Sequence, residues 1–162
     1  MKKKFLTWSD VEGAVLDIIQ QMSIDNWKPD YVVGLTRGGL TPAVLVSQFL
    51  NIPCNTLKVC LRDHDGTETN CWMSEDAYEG KNILVIDDIN DTGATIDWIK
   101  SDWQSTCLPH DPKWETIWGG NVRFATLTNN LSSNTEIDYS CWEINKGEED
   151  VWVVHPWEDF WK

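Results

Sequence analysis

The sequence predicts an α/β fold, a parallel β-sheet with helices on both faces, built as a single domain over residues 1–162. Two apolar runs carry this expectation, Tyr31-Val32-Val33-Gly34-Leu35 and Asn82-Ile83-Leu84-Val85-Ile86. Neither alternates apolar with polar residues, so both read as strands buried on two faces. The third observation concerns the segment after each run. Both runs empty into a glycine-containing turn, at 37–39 and at 91–95, and then into a stretch with helical periodicity. In such sheets ligands collect at the carboxyl ends of strands, where both turns lie.

From the start of the chain, Thr7-Trp8-Ser9-Asp10 has the composition of a helix cap. Val11, Ala14, Val15, Ile18, Ile19 and Met22 then recur at helical spacing, with the helix ending near Ser23. The strand at 31–35 leads through Thr36-Arg37-Gly38-Gly39 into a helix over 40–50. Pro42 sits in its first turn, where a missing N–H does no harm. Residues 54–61 alternate enough for a strand, and the polar stretch 63–79, without clear period, reads as a mobile loop. The buried strand over 82–86 precedes a helix over 96–103. Pro109, Pro112 and Gly119-Gly120 mark 105–120 as a long loop or insertion. Strands over 123–127 and 137–144 complete the sheet.

Bulk properties narrow the function. An apolar content of 41% with 24% charged residues describes a globular chain. A formal charge of −13 argues against nucleic acid as a partner, because phosphate backbones need a basic face. Lys2-Lys3-Lys4 is the one basic run and reads as a solvated end. Five cysteines form no Cys-x-x-Cys pair, and the apolar segment behind the basic start is only Phe5-Leu6. Both fit a reducing cytoplasm with no secretion signal. No stretch approaches the roughly 20 apolar residues of a membrane span. Eleven tryptophans are far above the usual share; most are expected in the core or at its rim, and some to face a ligand or another subunit.

The stretch Ile86-Asp87-Asp88-Ile89-Asn90-Asp91-Thr92-Gly93-Ala94-Thr95 combines carboxylates with small residues that wrap anions. A loop of Asp91, Thr92, Gly93, Ala94 and Thr95 opening a helix can aim main-chain N–H groups and two hydroxyls at one phosphate. Asp87 and Asp88, side by side at the strand end, suit acceptor roles toward vicinal hydroxyls or water on Mg²⁺. The ligand that satisfies both is a phosphorylated sugar with free hydroxyls and a metal.

Residues 85–95 closely resemble the phosphoribosyl diphosphate (PRPP) signature of type I phosphoribosyltransferases: hydrophobic strand, acidic pair, third Asp and small-residue phosphate loop at the family spacing. Residues 27–42 resemble that family's first glycine loop. Trp152-Val153-Val154-His155-Pro156-Trp157-Glu158 is similar to the base-binding end of the xanthine–guanine (purine) subfamily, and Asp63-His64-Asp65 to the start of its mobile loop. The matches span most of the chain and leave out 105–120.

The resemblance implies the type I phosphoribosyltransferase fold, a parallel-sheet core with a small C-terminal hood including about residues 131–162. It implies transfer of the phosphoribosyl group of PRPP to a nucleobase, a purine in this subfamily, with Mg²⁺ as cofactor and a homodimer or homotetramer as the assembly. Carried over residue by residue, Asp91 to Thr95 hold the 5′-phosphate, and Asp87 and Asp88 hold the ribose hydroxyls or the metal, directly or through water. Thr36, Arg37, Gly38 and Gly39 hold the diphosphate, often through a cis peptide. Asp91 handles the base's proton, Trp152 stacks on the base and the Val153 main chain reads its edge. Two departures stand out. The subfamily's base-reading lysine, just after the strand at 124–128, is replaced by Asn129-Asn130, with Asn130 at its place. The lid over 63–79 has no Lys or Arg, leaving Arg62 at its edge, and His64 stands there alone. These departures support a rival reading, a module on the same fold that senses PRPP or a nucleotide without catalysis.

Overall fold

In the computed structural model, which describes residues 1–59, 61, 67 and 69–162, the two apolar runs lie side by side. β2 (Tyr31–Thr36) pairs in parallel with β4 (Ile83–Asn90), Tyr31 opposite Ile83 and Val33 opposite Val85. β3 (Cys54–Lys58) flanks β2, while β5 (Val122–Asn130) and β6 (Tyr139–Ile144) extend the sheet beyond β4. The order is β3-β2-β4-β5-β6, with every neighbouring pair parallel.

The missing polar alternation has a direct cause. Val32, Leu84, Ile86, Ala125 and Leu127 pack on one face against α1 (Trp8–Ile24) and α2 (Leu40–Leu50). Val33, Leu35, Ile83, Val85 and Phe124 pack on the other against α3 (Cys71–Tyr78), α4 (Ala94–Thr106) and α5 (Trp114–Ile117). Successive strand residues feed opposite cores, so each must be apolar. β4, central in the sheet, therefore delivers its carboxyl end to a rigid place.

α1 begins at a reciprocal cap. The Thr7 hydroxyl accepts from the Asp10 N–H at 3.0 Å, and the Asp10 carboxylate accepts from the Thr7 N–H at 2.8 Å. Thr7→Ala is expected to lower stability by about 1 kcal/mol in denaturant unfolding. An unchanged midpoint would contradict the cap's role.

Three expectations change. The stretch over 63–79 is not wholly a loop: Asn70 accepts from the Met73 N–H at 2.9 Å and starts α3, which buries Met73, Ser74 and Ala77. Its signal is weak because the helix is only eight residues long, with Met73 and Ala77 in the core and Tyr78 packed against it. The 105–120 segment is more than a loop. α4 runs to Thr106, and the segment then folds back through α5, stacking Trp114 on Trp118 with centroids 5.4 Å apart. Trp103 and Trp114 are fully buried there, which accounts for part of the tryptophan excess. Lys2-Lys3-Lys4 is no loose end. Its side chains are exposed, but its backbone forms β1 (Lys2–Phe5), paired in parallel with β7 (Val151–Val154). The second, two-stranded sheet thus takes one strand from each end of the chain and is closed by Leu6, Val151 and Val153, whereas β6, inside the range expected for the hood, belongs to the five-stranded sheet. Among the described residues no helix is long and apolar enough to cross a membrane.

Candidate active site

A cavity of about 540 Å³ opens where β4 ends. Its polar wall includes Asp87 and Asp88 on β4, the turn at 91–95 running into α4, Lys146 between β6 and β7, and Trp152 and Val153 on β7, with Leu35 of β2 and Phe124, Ala125 and Thr126 of β5 beneath and His155 and Glu158 beyond β7. The turn, the acid pair and the aromatic end, distant in sequence, share one space.

Gly93 governs the turn. Its φ is +92°, and an added Cβ would lie 2.7 Å from Thr135 Oγ1 and 2.8 Å from Thr135 Cβ. Asn90, buried beneath, fixes the facing loop by donating to the Asn129 side-chain oxygen at 2.9 Å and the Thr135 carbonyl at 3.0 Å. Gly93 itself supplies no side-chain cap to α4. Thr92 Oγ1 accepts from the Ala94 N–H at 3.2 Å. The first-turn N–H groups of a helix have no intrahelical partners, and Ala94, Thr95 and Ile96 all line the cavity. A helix start of this kind favours an anion.

The acid pair leaves β4 stiffly. Asp87 accepts from the Asp88 N–H at 2.8 Å, and Asp88 from the Ile89 N–H at 2.7 Å. Burial, followed by the neighbouring Asp88 charge, holds the Asp87 carboxyl well above the usual carboxylate range. Two carboxyl groups held side by side in this way suit a diol or an arriving cation. Among the described residues no cluster of three or more His, Cys, Asp or Glu could cage a metal by itself. The Thr36–Arg37 peptide is cis. Thr36, Arg37, Gly38 and Gly39 do not line the cavity, but they adjoin it through Asp88: a Cβ on Gly38 would lie 2.1 Å from Asp88 Oδ2.

At the far end Trp152 keeps 42% of its surface exposed while Val153 is buried. Lys2 N–H donates to the Asp150 carbonyl and Leu6 N–H to the Val154 carbonyl. Parallel ladders use alternate residues. Val153, out of phase with those bonds, therefore directs its N–H and C=O away from β1.

Asn130 departs from its expected base-reading place. It is buried and is not among the residues that line the cavity. Nδ2 donates to the Asp91 carbonyl at 2.7 Å, and Oδ1 accepts from the Ser132 hydroxyl at 2.9 Å and the Lys146 N–H at 3.0 Å.

Two cavity residues escape the sequence reasoning. Lys146 places Nζ 3.1 Å from Asp91 Oδ1 and 5.6 Å from the Trp152 ring centroid. Its sequence signal was available, since it is the only Lys or Arg between Arg123 and Lys162. His155 is buried, with neither ring nitrogen hydrogen-bonded. Nδ1 stands 3.6 Å from Asp88 Oδ2 and 3.7 Å from Glu158 Oε2, and the ring stacks on Trp157 at 4.9 Å. Arg62, Asp63, His64 and Asp65, tied above to the lid, lie outside the described residues.

Known proteins resemble the chain over most of its length. The chain is 24% identical over 159 residues to a xanthine-guanine phosphoribosyltransferase of Idiomarina loihiensis, covering 95% of this chain and 86% of that one. It is 28% identical over 141 residues to the protein of the same name from Cereibacter sphaeroides, covering 83% and 72%. The purine phosphoribosyltransferase from Pyrococcus horikoshii superposes with a TM-score of 0.68 at 23% identity, over 98% of this chain and 95% of the other. The description of the phosphoribosyl transferase domain matches residues 3–160, all but the ends, and the chain belongs to that family.

Proposed function

We propose that the protein transfers the 5-phosphoribosyl group of PRPP to a purine base and releases diphosphate. The observation that carries this reading is the cavity in which the turn at 91–95, the pair Asp87–Asp88 and the Trp152 face meet. These three surfaces match the phosphate, pentose and flat base of one nucleotide. The names of its relatives, xanthine-guanine and purine phosphoribosyltransferases, support the purine.

The 5′-phosphate is held by the N–H groups and hydroxyls of Asp91, Thr92, Gly93, Ala94 and Thr95, at the positive end of α4. Asp87 and Asp88 take the ribose hydroxyls. They also fit Mg²⁺, which commonly uses one or two protein carboxylates and completes its shell with water and substrate phosphate. When bound, the metal would neutralise diphosphate charge. Thr36, Arg37, Gly38 and Gly39 hold the diphosphate from across Asp88. Trp152 stacks on the base, and Val153 presents its outward N–H and C=O to the base edge.

In the reaction a ring nitrogen of the base bonds to C1′ while the C1′–O bond breaks, its electron pair leaving with diphosphate. The proton displaced from the base passes to the Asp91 carboxylate. Catalysis rests on positioning and on charges fixed beforehand. The relatives' activity and the cysteine usage support a cytoplasmic protein, working as a homodimer or homotetramer.

Incubation with PRPP, Mg²⁺ and each common base, followed by chromatography, is expected to yield a purine nucleotide and equimolar diphosphate. PRPP binding without product from any base would replace this reading with the sensor.

A further inference from the structure

We infer that Lys146 is the specificity-determining residue for the base, selecting 6-oxopurines over 6-aminopurines, with Asn130 as its brace. The inference rests on the proposed site and names what that site accepts.

Among the described cavity-lining residues Lys146 is the only Lys or Arg, facing Asp87, Asp88, Asp91 and Glu158. An ammonium in so acidic a space is held in place by charge, and Asp91 Oδ1 lies 3.1 Å from Nζ. The same Nζ lies over the Trp152 ring, 5.6 Å from its centroid, so a base entering against that face meets the ammonium. The main chain is fixed as well. Asn130 Oδ1 accepts from the Lys146 N–H at 3.0 Å, and Asn130 Nδ2 donates to the Asp91 carbonyl at 2.7 Å. One buried amide thus ties the main chain that carries the cation to the main chain that carries the carboxylate. In place of a lysine on β5, the chain has an asparagine there that positions a lysine from the β6–β7 turn.

The donor inventory supplies the selectivity. Lysine has three donors and no acceptor. A guanine-type edge presents O6 and N7, both acceptors, whereas an adenine-type edge presents N7 beside an amino donor. Lys146 can bridge the first pair while remaining on Asp91, but it meets an opposing donor on the second. Discrimination on the order of 10- to 100-fold is expected from such a contact.

Calorimetric titration of GMP and AMP into the wild type and Lys146→Met tests this without relying on turnover. The wild type is expected to bind GMP about 10- to 100-fold more tightly than AMP, on the order set by such contacts. Lys146→Met should lose that preference with AMP affinity and PRPP affinity unchanged. Lys146→Arg should retain it, and serves if the methionine variant is poorly folded. A GMP preference that survives in Lys146→Met, an equal loss for both nucleotides, or weakened PRPP binding overturns the inference. Selective GMP binding that depends on Lys146, in a protein that forms no nucleotide, would uphold the inference and remove only the transferase reading.

Discussion

Asp91→Asn is expected to lower nucleotide formation by roughly 10²- to 10⁴-fold, the usual contribution of a positioned acid or base, while PRPP affinity stays near wild type. The substitution is narrow. The Asp91 carbonyl still accepts from Asn130, and an amide fills the volume of the carboxylate. The main chain of the turn is untouched. What disappears is the group able to take a proton, along with the ion pair to Lys146. Steady-state rates and a PRPP titration separate the outcomes. Near-normal turnover would assign proton handling to another group, and lost PRPP binding would make Asp91 a phosphate ligand first.

Gly39→Ala is expected to cost several kcal/mol of stability or to abolish PRPP binding. The new Cβ would lie 2.3 Å from the Ile86 carbonyl oxygen and 2.7 Å from the Leu35 N, backbone atoms of two central strands. Overpacking ordinarily costs about 1–3 kcal/mol, and more when no flexible side chain can yield. The chain must therefore push α2 and the preceding loop away from β4, the surface against which Asp88 is set. Gly13→Ala is the contrast. It lies within α1 with nothing inside 4 Å of its added Cβ, and helix propensity alone should raise stability by about 0.5–1 kcal/mol. Thermal unfolding of the two variants should move in opposite directions. A Gly39→Ala protein as stable and as PRPP-competent as wild type would disprove the close approach.

The sheet was legible because its chemistry is local and repeated. Val32 and Val33 must both be apolar when one faces α1 and the other α4, and a run of such residues is visible without coordinates. The turn at 91–95 was legible for the same reason, since its strand, carboxylates and glycine are contiguous. The Trp152 end of the cavity was not. Lys146 and Asp91 are far apart in the chain, and only the fold of β6 and β7 brings them to 3.1 Å. Asn130 misled because its place on β5 suggested a reader, whereas its hydrogen bonds make it a brace. β1 was hidden because its lysines are exposed and only its backbone pairs. α3 and α5 are short, and each takes its stability from the core it covers rather than from its own periodicity.

The proposed chemistry requires main-chain amides of the turn at 91–95 to grip a phosphate while Asp87 and Asp88 hold the attached pentose. Titration calorimetry of PRPP with magnesium, into the wild type and into Gly93→Val, tests this requirement. One saturable PRPP site per chain is predicted, lost in Gly93→Val, where the side chain would collide with Thr135 and distort the turn. No binding to the wild type, or undiminished binding once the turn is distorted, would contradict it.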